Sequence, residues 1–244
     1  YKGLLTDKES INVPTIINIQ CIKMEFITKK LEFSNQTIKE MKINSKNFYH
    51  LIKKRRTVRN FKKNTIDFDI IKNAVLSAGT APNGANLQPW HFVIIKNKLI
   101  KKRIRIAAEE EEEDFYENKA PKEWLDALKP LGTDKNKSFL EEAPYLIAIF
   151  EKKFSLKNKK KIKNYYVKES VGIATGILIS CLHFSGLSML THTPSPMNFL
   201  NQILKRPNNE KPFVLLVVGK PTKECVIPVF AEKKKSFNNI TTIF

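Results

Sequence analysis

The sequence predicts an α+β fold in which helices flank a sheet. Three short apolar runs, 91–95, 145–150 and 213–218, have the length and composition of buried strands. Longer segments with apolar residues at helical spacing lie between them, of which 165–185 is the longest. A chain of 244 residues with 42% hydrophobic residues can bury one sizeable core, so one globular domain is expected.

The chain divides into an arm and a domain. Residues 1–46 carry scattered apolar residues without a sustained period, and we interpret them as an N-terminal arm that wraps a partner. The domain, residues 47–244, opens with helical spacing over 47–54. A second helix is predicted from Asp67, whose charge suits a first turn, to a stop at Gly79.

A loop dense in Gly, Pro and Asn joins this second helix to the first predicted strand. The stretch 78–90 reads Ala-Gly-Thr-Ala-Pro-Asn-Gly-Ala-Asn-Leu-Gln-Pro-Trp. Such a loop exposes backbone amides and permits close approach of a ligand, although composition alone is more often that of an ordinary turn. Upstream, the run 55–59 (Arg-Arg-Thr-Val-Arg) places three guanidinium groups and a hydroxyl together, which suits a phosphate.

The middle of the chain predicts a lid. An amphipathic helix starting near Leu99 is expected to run into the acidic stretch 109–114, whose simplest interpretation is a solvated helix end. The following segment to Ser138 is polar with isolated aromatic residues, and it could order over a ligand. We call residues 109–138 the lid.

The last part of the chain predicts two further strands and a buried helix. The lysine-rich segment after residue 152 is expected to be a solvated excursion. Helix 165–185 is apolar nearly all round, with small residues that permit close approach of another helix, so a subunit interface and intrachain core are both open. A strand over 187–194, a short helix over 198–205 and the strand 213–218 follow.

Together, the arginine cluster and the Gly/Asn loop resemble the flavin site of the nitroreductase superfamily and, more closely, of the iodotyrosine deiodinase family, from about Phe48 to the C-terminus. The resemblance implies a mixed sheet flanked by helices, an intertwined homodimer with shared active sites, FMN as cofactor and reductive dehalogenation of halotyrosines. It also implies that electrons come from a reductase or from NAD(P)H.

The resemblance carries specific cofactor roles. It places the residues of the 55–59 run and Lys234 around the FMN phosphate, although Lys234 replaces an Arg and Lys235 is an alternative register. It makes Thr193 the catalytic residue that donates a hydrogen bond to the flavin N5, and His192 departs from the usual Thr. The implied cofactor-binding residues are Arg55, Arg56, Thr57, Val58, Arg59, Asn83, Gly84, Thr191, His192, Thr193 and Lys234, with Asn83 and Gly84 acting across the dimer.

Substrate roles follow from the lid. The deiodinase lid has a Glu, a Tyr four residues later, a Trp and then a Lys before Leu-x-x-Ala-Pro, and this chain matches with Glu112, Tyr116, Trp124, Lys137 and the motif 140–144. A zwitterion needs a carboxylate for its ammonium and a cation for its carboxylate, so the trio of Glu112, Tyr116 and Lys137 suits an amino acid. The resemblance further implies that the amide of Ala85 binds the substrate phenolate.

Three alternatives remain open from the sequence. One is an NAD(P)H-dependent nitroreductase or quinone reductase of the same fold, and another is a flavin-binding protein that has lost turnover. The third is a basic nucleic-acid-binding protein, because the net charge is +19 and the pI is near 9.7. The lysines are widely spread with little aromatic interleaving, however, so we expect no nucleic-acid partner.

The positions of the cysteines and histidines argue against disulfides and metal sites. The three cysteines, Cys21, Cys181 and Cys225, form no CxxC pair, and the four histidines show no ligand spacing, so we predict no disulfide framework and no metal. No apolar run reaches the roughly 18 to 20 residues of a membrane span. We expect a soluble cytoplasmic protein as given; the sequence opens on Tyr1, which leaves open an anchor upstream.

Overall fold

The computed structural model describes residues 27–158 and 160–244, without the side chains at 127 and 157. Most of the predicted arm therefore lies outside the described residues, and its wrapping role stays a prediction. The chain divides between Met41 and Lys42 into two units, and the strands and the helices after α1 belong to the second.

Helices and strands alternate along the described chain. The helices are α1 (Ile38–Ile52), α2 (Phe68–Ala78), α3 (Lys98–Asp114), α4 (Lys122–Leu128), α5 (Phe139–Glu142), α6 (Val167–Phe184) and α7 (Phe199–Ile203). The strands are β1 (Trp90–Ile95), β2 (Tyr145–Lys152), β3 (Phe154–Lys157), β4 (Lys160–Lys163), β5 (Ser188–His192) and β6 (Glu210–Gly219).

Four strands form the central sheet in the order β1-β2-β6-β5. All neighbouring strands pair antiparallel, with Ile147 opposite both Ile94 and Leu216. The parallel part of the predicted mixed sheet is, among the described residues, one isolated bridge between Thr57 and Met189. The segment with the arginine cluster thus lies along the free side of β5.

The core lies on both faces of the sheet because alternate residues of a strand point to opposite sides. In β2, Ile147 and Ile149 face a cluster formed with α2 and α6, whereas Leu146, Ala148 and Phe150 face a cluster formed with α3, α5 and α7. Burial on both sides explains why 145–150 is a continuous apolar run. The result is three layers, with the sheet in the middle.

Three elements differ from the sequence prediction. Helix α1 begins at Ile38 rather than near residue 47, because Thr37 and Glu40 form a capping box: the Thr37 amide donates to Glu40 Oε2 at 2.8 Å and the Glu40 amide to Thr37 Oγ1 at 3.3 Å. The predicted lysine-rich excursion contains the antiparallel hairpin β3–β4. The polar lid contains the helix α4.

Helix α6 corrects the expectation that no segment is long and apolar enough for a membrane span. Its 18 residues reach that threshold by length and composition. Six of them, including Val171, Ala174 and Leu178, are buried in the protein core. A core helix passes the same test, so length and composition carry no conclusion about a membrane.

Candidate active site

The end of α3, the lid and the end of β5 enclose one cavity of about 280 Å³. Helix α3 starts where the Asn97 side chain accepts a hydrogen bond from the Ile100 amide, and it runs far enough to carry Glu112 to the cavity. Strand β5 ends at His192 because the chain turns at Pro194, which has no amide for the ladder. The cavity brings together seven sequence-predicted site residues: Arg59, Glu112, Tyr116, Lys137, Thr191, His192 and Thr193.

A buried ion pair dominates this cavity. Lys137 Nζ lies 3.1 Å from Glu112 Oε2, and the two side chains are 3% and 15% exposed. The ammonium also donates to the carbonyl of Asp134 and lies 5.7 Å from the centre of the Tyr116 ring. Because a buried charge is costly unless it is paired, Lys137 and Glu112 stabilise each other in the absence of a third charged group.

Tyr116 contributes a neutral hydroxyl beside this pair. Its hydroxyl donates to the carbonyl of Thr133 at 3.3 Å, a long hydrogen bond that a better acceptor would replace at little cost. Burial raises the pKa of the Tyr116 phenol above its ordinary value, and the Glu112 carboxylate acts in the same direction. Tyr116 therefore stays protonated and available as a donor.

His192 is a buried neutral imidazole in the same cavity. Its ring packs edge-on against Phe139 at 5.7 Å between centroids, and its Nε2 is buried without a hydrogen-bond partner. Burial, followed by the positive charges of Lys137 and Arg59, lowers the pKa of His192 to about 3. The ring thus places an unsatisfied polar atom beside the cavity without adding a charge.

The low pKa of His192 predicts an acid-sensitive stability. The folded protein binds this proton less readily than the unfolded chain, so the stability is complete above the unfolded pKa of about 6.5 and is lost as the pH falls toward 3. We expect acidification from pH 7 to pH 5 to cost the parent about 2 kcal/mol more than the His192→Thr variant. Urea unfolding at both pH values, with equal FMN, measures this; parallel losses in the two proteins would contradict it.

The arginine cluster provides a second buried polar atom without a partner. Arg56 Nη1 donates to the carbonyls of Lys53 at 2.6 Å and Arg55 at 2.8 Å, while its Nε is buried without a partner. Arg56 Nε and His192 Nε2 are the two such side-chain atoms found within the described part of the chain. Both belong to the cofactor set that the sequence predicts.

The neighbours of Arg56 have structural contacts. Thr57 forms the parallel bridge to Met189, and the Val58 amide donates to the Met189 carbonyl at 3.4 Å. The Val58 side chain is buried in the core on the α3 side of the sheet, so only its main chain remains for a ligand. Arg55 is half-buried, and among the three arginines Arg59 reaches the cavity.

The Gly/Asn loop does not line the cavity of its own chain. Ala85, Asn86 and Gln88 all have positive φ values near +50°, a conformation that costs energy for residues other than glycine. The Asn83 side chain holds the loop by accepting from the Gln88 amide at 2.8 Å. A Cβ at Gly84 would lie 3.3 Å from the Tyr165 carbonyl oxygen, so a larger residue would push the loop away.

Lys234 also lies away from the cavity lining. Its side chain is exposed, and its Nζ donates to the carbonyl of Ala231 at 2.5 Å. Its proposed contact with a phosphate stays a prediction, as do the ligand contacts of Asn83, Gly84 and Ala85.

Sequence reasoning missed several residues of the cavity wall. Phe139 packs on His192, and Thr133 holds the Tyr116 hydroxyl. The ring centroids of Phe115 and Trp124 lie 5.0 Å apart, and the two ring planes meet at 78°. Phe139 follows Lys137 by two residues, and this proximity was the one sequence feature that could have indicated its place in the cavity wall. Nothing in the local sequence distinguishes Thr133 from other threonines.

The residues that the structure describes contain no group of three or more His, Cys, Asp or Glu placed to hold a metal ion.

Comparison with known proteins places this geometry in context. The model of the nitroreductase family matches residues 52–220. The iodotyrosine deiodinase of Haliscomenobacter hydrossis is 49% identical over 198 residues, which cover 81% of this chain and 89% of that protein. The iodotyrosine deiodinase of Hydra vulgaris is 39% identical, with coverage of 86% and 78%.

A solved structure shows the same similarity. A crystal structure of oxidized iodotyrosine deiodinase bound to FMN and 3-iodo-L-tyrosine is 35% identical. It covers 72% of this chain and 90% of its own, with a TM-score of 0.64.

Proposed function

The chain belongs to the nitroreductase family and, within it, to the iodotyrosine deiodinases, and on this premise we propose that it is an FMN-dependent oxidoreductase that removes iodide from iodotyrosine. Bound FMN supplies, once reduced, the two electrons that with a proton replace the carbon–iodine bond by a carbon–hydrogen bond and release iodide. The protein's part is to bind, orient and enclose the substrate.

The observation that carries the proposal is the preformed ion pair of Glu112 and Lys137, 3.1 Å apart in the cavity. A zwitterionic amino acid inserts between the two charges, with its ammonium on Glu112 and its carboxylate on Lys137. The Tyr116 hydroxyl exchanges its long bond to Thr133 for the substrate carboxylate. Since both protein charges are already buried, the substrate gains charged contacts without a large new desolvation of the protein.

The described residues fit FMN at two points. The buried Nε of Arg56 lacks an acceptor, which a phosphate supplies, and Arg55, Thr57, Arg59 and Lys234 complete this part of the site. The end of β5 fits the flavin ring: His192 Nε2 is unsatisfied, while the exposed hydroxyls of Thr191 and Thr193 remain available. The Ala85 amide would bind the phenolate of a substrate held beside the flavin.

The small volume of the lid cavity and an exposed apolar face of α6 support a homodimer with shared sites. The lid cavity of about 280 Å³ lies below the range of about 300–1,000 Å³ typical of ligand pockets, so this cavity by itself is too small for both FMN and iodotyrosine. Helix α6 leaves an apolar face with Ile173, Gly176 and Phe184 exposed, next to Phe48. In the proposed dimer a second copy packs on this face, and Asn83 and Gly84 contact the cofactor of the partner, as the family resemblance implies.

The test is turnover of mono-iodotyrosine by the FMN-loaded protein under dithionite. The proposal predicts stoichiometric release of iodide and tyrosine. A protein that reduces nitroaromatics or quinones with NAD(P)H but releases no iodide would instead be the general nitroreductase. Electron supply by a reductase or by NAD(P)H and a cytoplasmic location are further parts of the proposal.

Replacement of Thr193 should lower the rate of deiodination without releasing the cofactor. Thr193→Ala removes one hydroxyl donor at the flavin, so we expect kcat/KM for iodotyrosine to fall about tenfold. FMN affinity should change less than about threefold, because the phosphate contacts lie elsewhere. Steady-state kinetics and a flavin titration measure the two effects; loss of the flavin itself would refute this role.

A further inference from the structure

A second carboxylate of α3 holds the same lid residue as Glu112. Glu109 lies one turn before Glu112, and its Oε1 accepts the main-chain N–H of Lys137 at 2.7 Å. Glu109 therefore binds the backbone of Lys137, while Glu112 binds its ammonium at 3.1 Å. Positions three apart share one face of a helix, so the two carboxylates hold Lys137 at two points.

Arg105 holds Glu109 in turn. Arg105 Nη1 lies 2.5 Å from Glu109 Oε2, and Arg105 Nε donates to Glu141 of α5. The Arg105 and Glu109 side chains are 28% and 24% exposed. One guanidinium thus bridges the helix that carries Glu112 and the helix that follows Lys137.

These contacts explain how Glu109 acquires a fixed orientation within the acidic run 109–113. Residues 109–113 are five consecutive glutamates, which repel one another and leave no intrinsic preference for the orientation of Glu109. The Arg105 guanidinium fixes Glu109 by its charge and fork geometry. Glu109 then fixes the main chain from which the long, otherwise mobile Lys137 side chain extends.

We propose that Arg105 and Glu109 are positioning residues for substrate recognition: they hold the backbone of Lys137 so that its ammonium lies where the substrate carboxylate binds. This inference rests on the proposed function for its substrate but not for its contacts. Neither residue touches the substrate; their effect passes through Lys137. A residue that merely joined α3 to α5 would affect all substrates alike.

The test compares iodotyrosine with 2-iodophenol, which lacks the amino-acid group. In the FMN-loaded Glu109→Ala variant, we expect kcat/KM for iodotyrosine to fall about tenfold, the effect of one lost hydrogen bond to a charged group. The value for 2-iodophenol should stay within about twofold. Glu110→Ala, a neighbouring exposed glutamate on the same helix, is the matched control and should leave both values unchanged.

Arg105→Met should shift the same substrate ratio in the same direction. The double variant should be no worse than Glu109→Ala alone, because the two residues act through one path. Equal losses for both substrates, or fully additive losses in the double variant, would overturn the proposal.

Hydrogen exchange separates this inference from the enzyme assignment. We expect the Lys137 amide to exchange at least about tenfold faster in Glu109→Ala than in the parent or in Glu110→Ala. If the parent releases no iodide, the proposed function fails while the exchange result still reports on the contact. Unchanged exchange at Lys137 in Glu109→Ala would refute the positioning role whatever the activity.

Discussion

Replacement of Lys137 by methionine should lower kcat/KM for mono-iodotyrosine about a hundredfold or more. The change leaves the Glu112 carboxylate, 15% exposed, without its cation, and it leaves the substrate carboxylate unpaired. Truncation of one member of a buried, hydrogen-bonded charge pair costs about 2–5 kcal/mol. Steady-state deiodination at saturating FMN measures the loss.

Two controls separate recognition from folding. Lys135 is another lid lysine, 47% exposed and paired with Glu113 and Glu117 at the surface, so Lys135→Met should change kcat/KM by less than about twofold. Turnover of 2-iodophenol by Lys137→Met should remain near the parent value. A Lys137→Met protein that keeps its iodotyrosine activity within threefold would show that this ammonium does not bind the substrate.

Replacement of Arg56 by methionine should weaken FMN binding about thirtyfold. Its buried Nε has no acceptor within the protein, and a charge-assisted hydrogen bond to phosphate is worth about 1.5–3 kcal/mol. Arg56→Lys keeps a charge without the planar fork, so its FMN affinity should lie between those of the parent and Arg56→Met. Fluorescence titration of the apoprotein with FMN measures all three values.

The matched control is Arg103, an exposed arginine on α3. Arg103→Met removes the same charge from the protein and should leave FMN affinity unchanged within about twofold. If Arg56→Met and Arg103→Met weakened FMN binding alike, the effect would be general electrostatics of a chain with net charge +19 rather than a specific contact.

Periodicity predicted the elements whose burial is regular. The continuous apolar run of β2 follows from a sheet covered on both faces, and the length of α6 follows from its apolar pattern. The early start of α1 was also present in the sequence, because Thr37 and Glu40 have capping-box spacing. The hairpin β3–β4 was not predicted. Phe154 and Leu156 alternate with polar residues as in a strand, but the high lysine content favoured a solvated excursion.

The candidate site was predictable by resemblance more than by local physics. A lysine in a polar segment is ordinarily exposed, and the burial of Lys137 depends on an ion pair to a residue 25 positions earlier. The hydrogen bond from the Lys137 amide to Glu109 could not be predicted for the same reason. Five consecutive glutamates have no local difference in sequence, and only the fold determines which of them contacts Lys137. Neither the neutral state of His192 nor its contact with Phe139 has a local signature.

Titration of the oxidised, FMN-loaded protein with mono-iodotyrosine, followed by flavin fluorescence, tests the central claim most directly. If the Glu112–Lys137 pair receives a zwitterion above the cofactor, iodotyrosine should quench the flavin saturably and at least about tenfold more tightly than 2-iodophenol, and Lys137→Met should abolish the difference. Equal affinity for the two ligands in the parent protein would contradict the account.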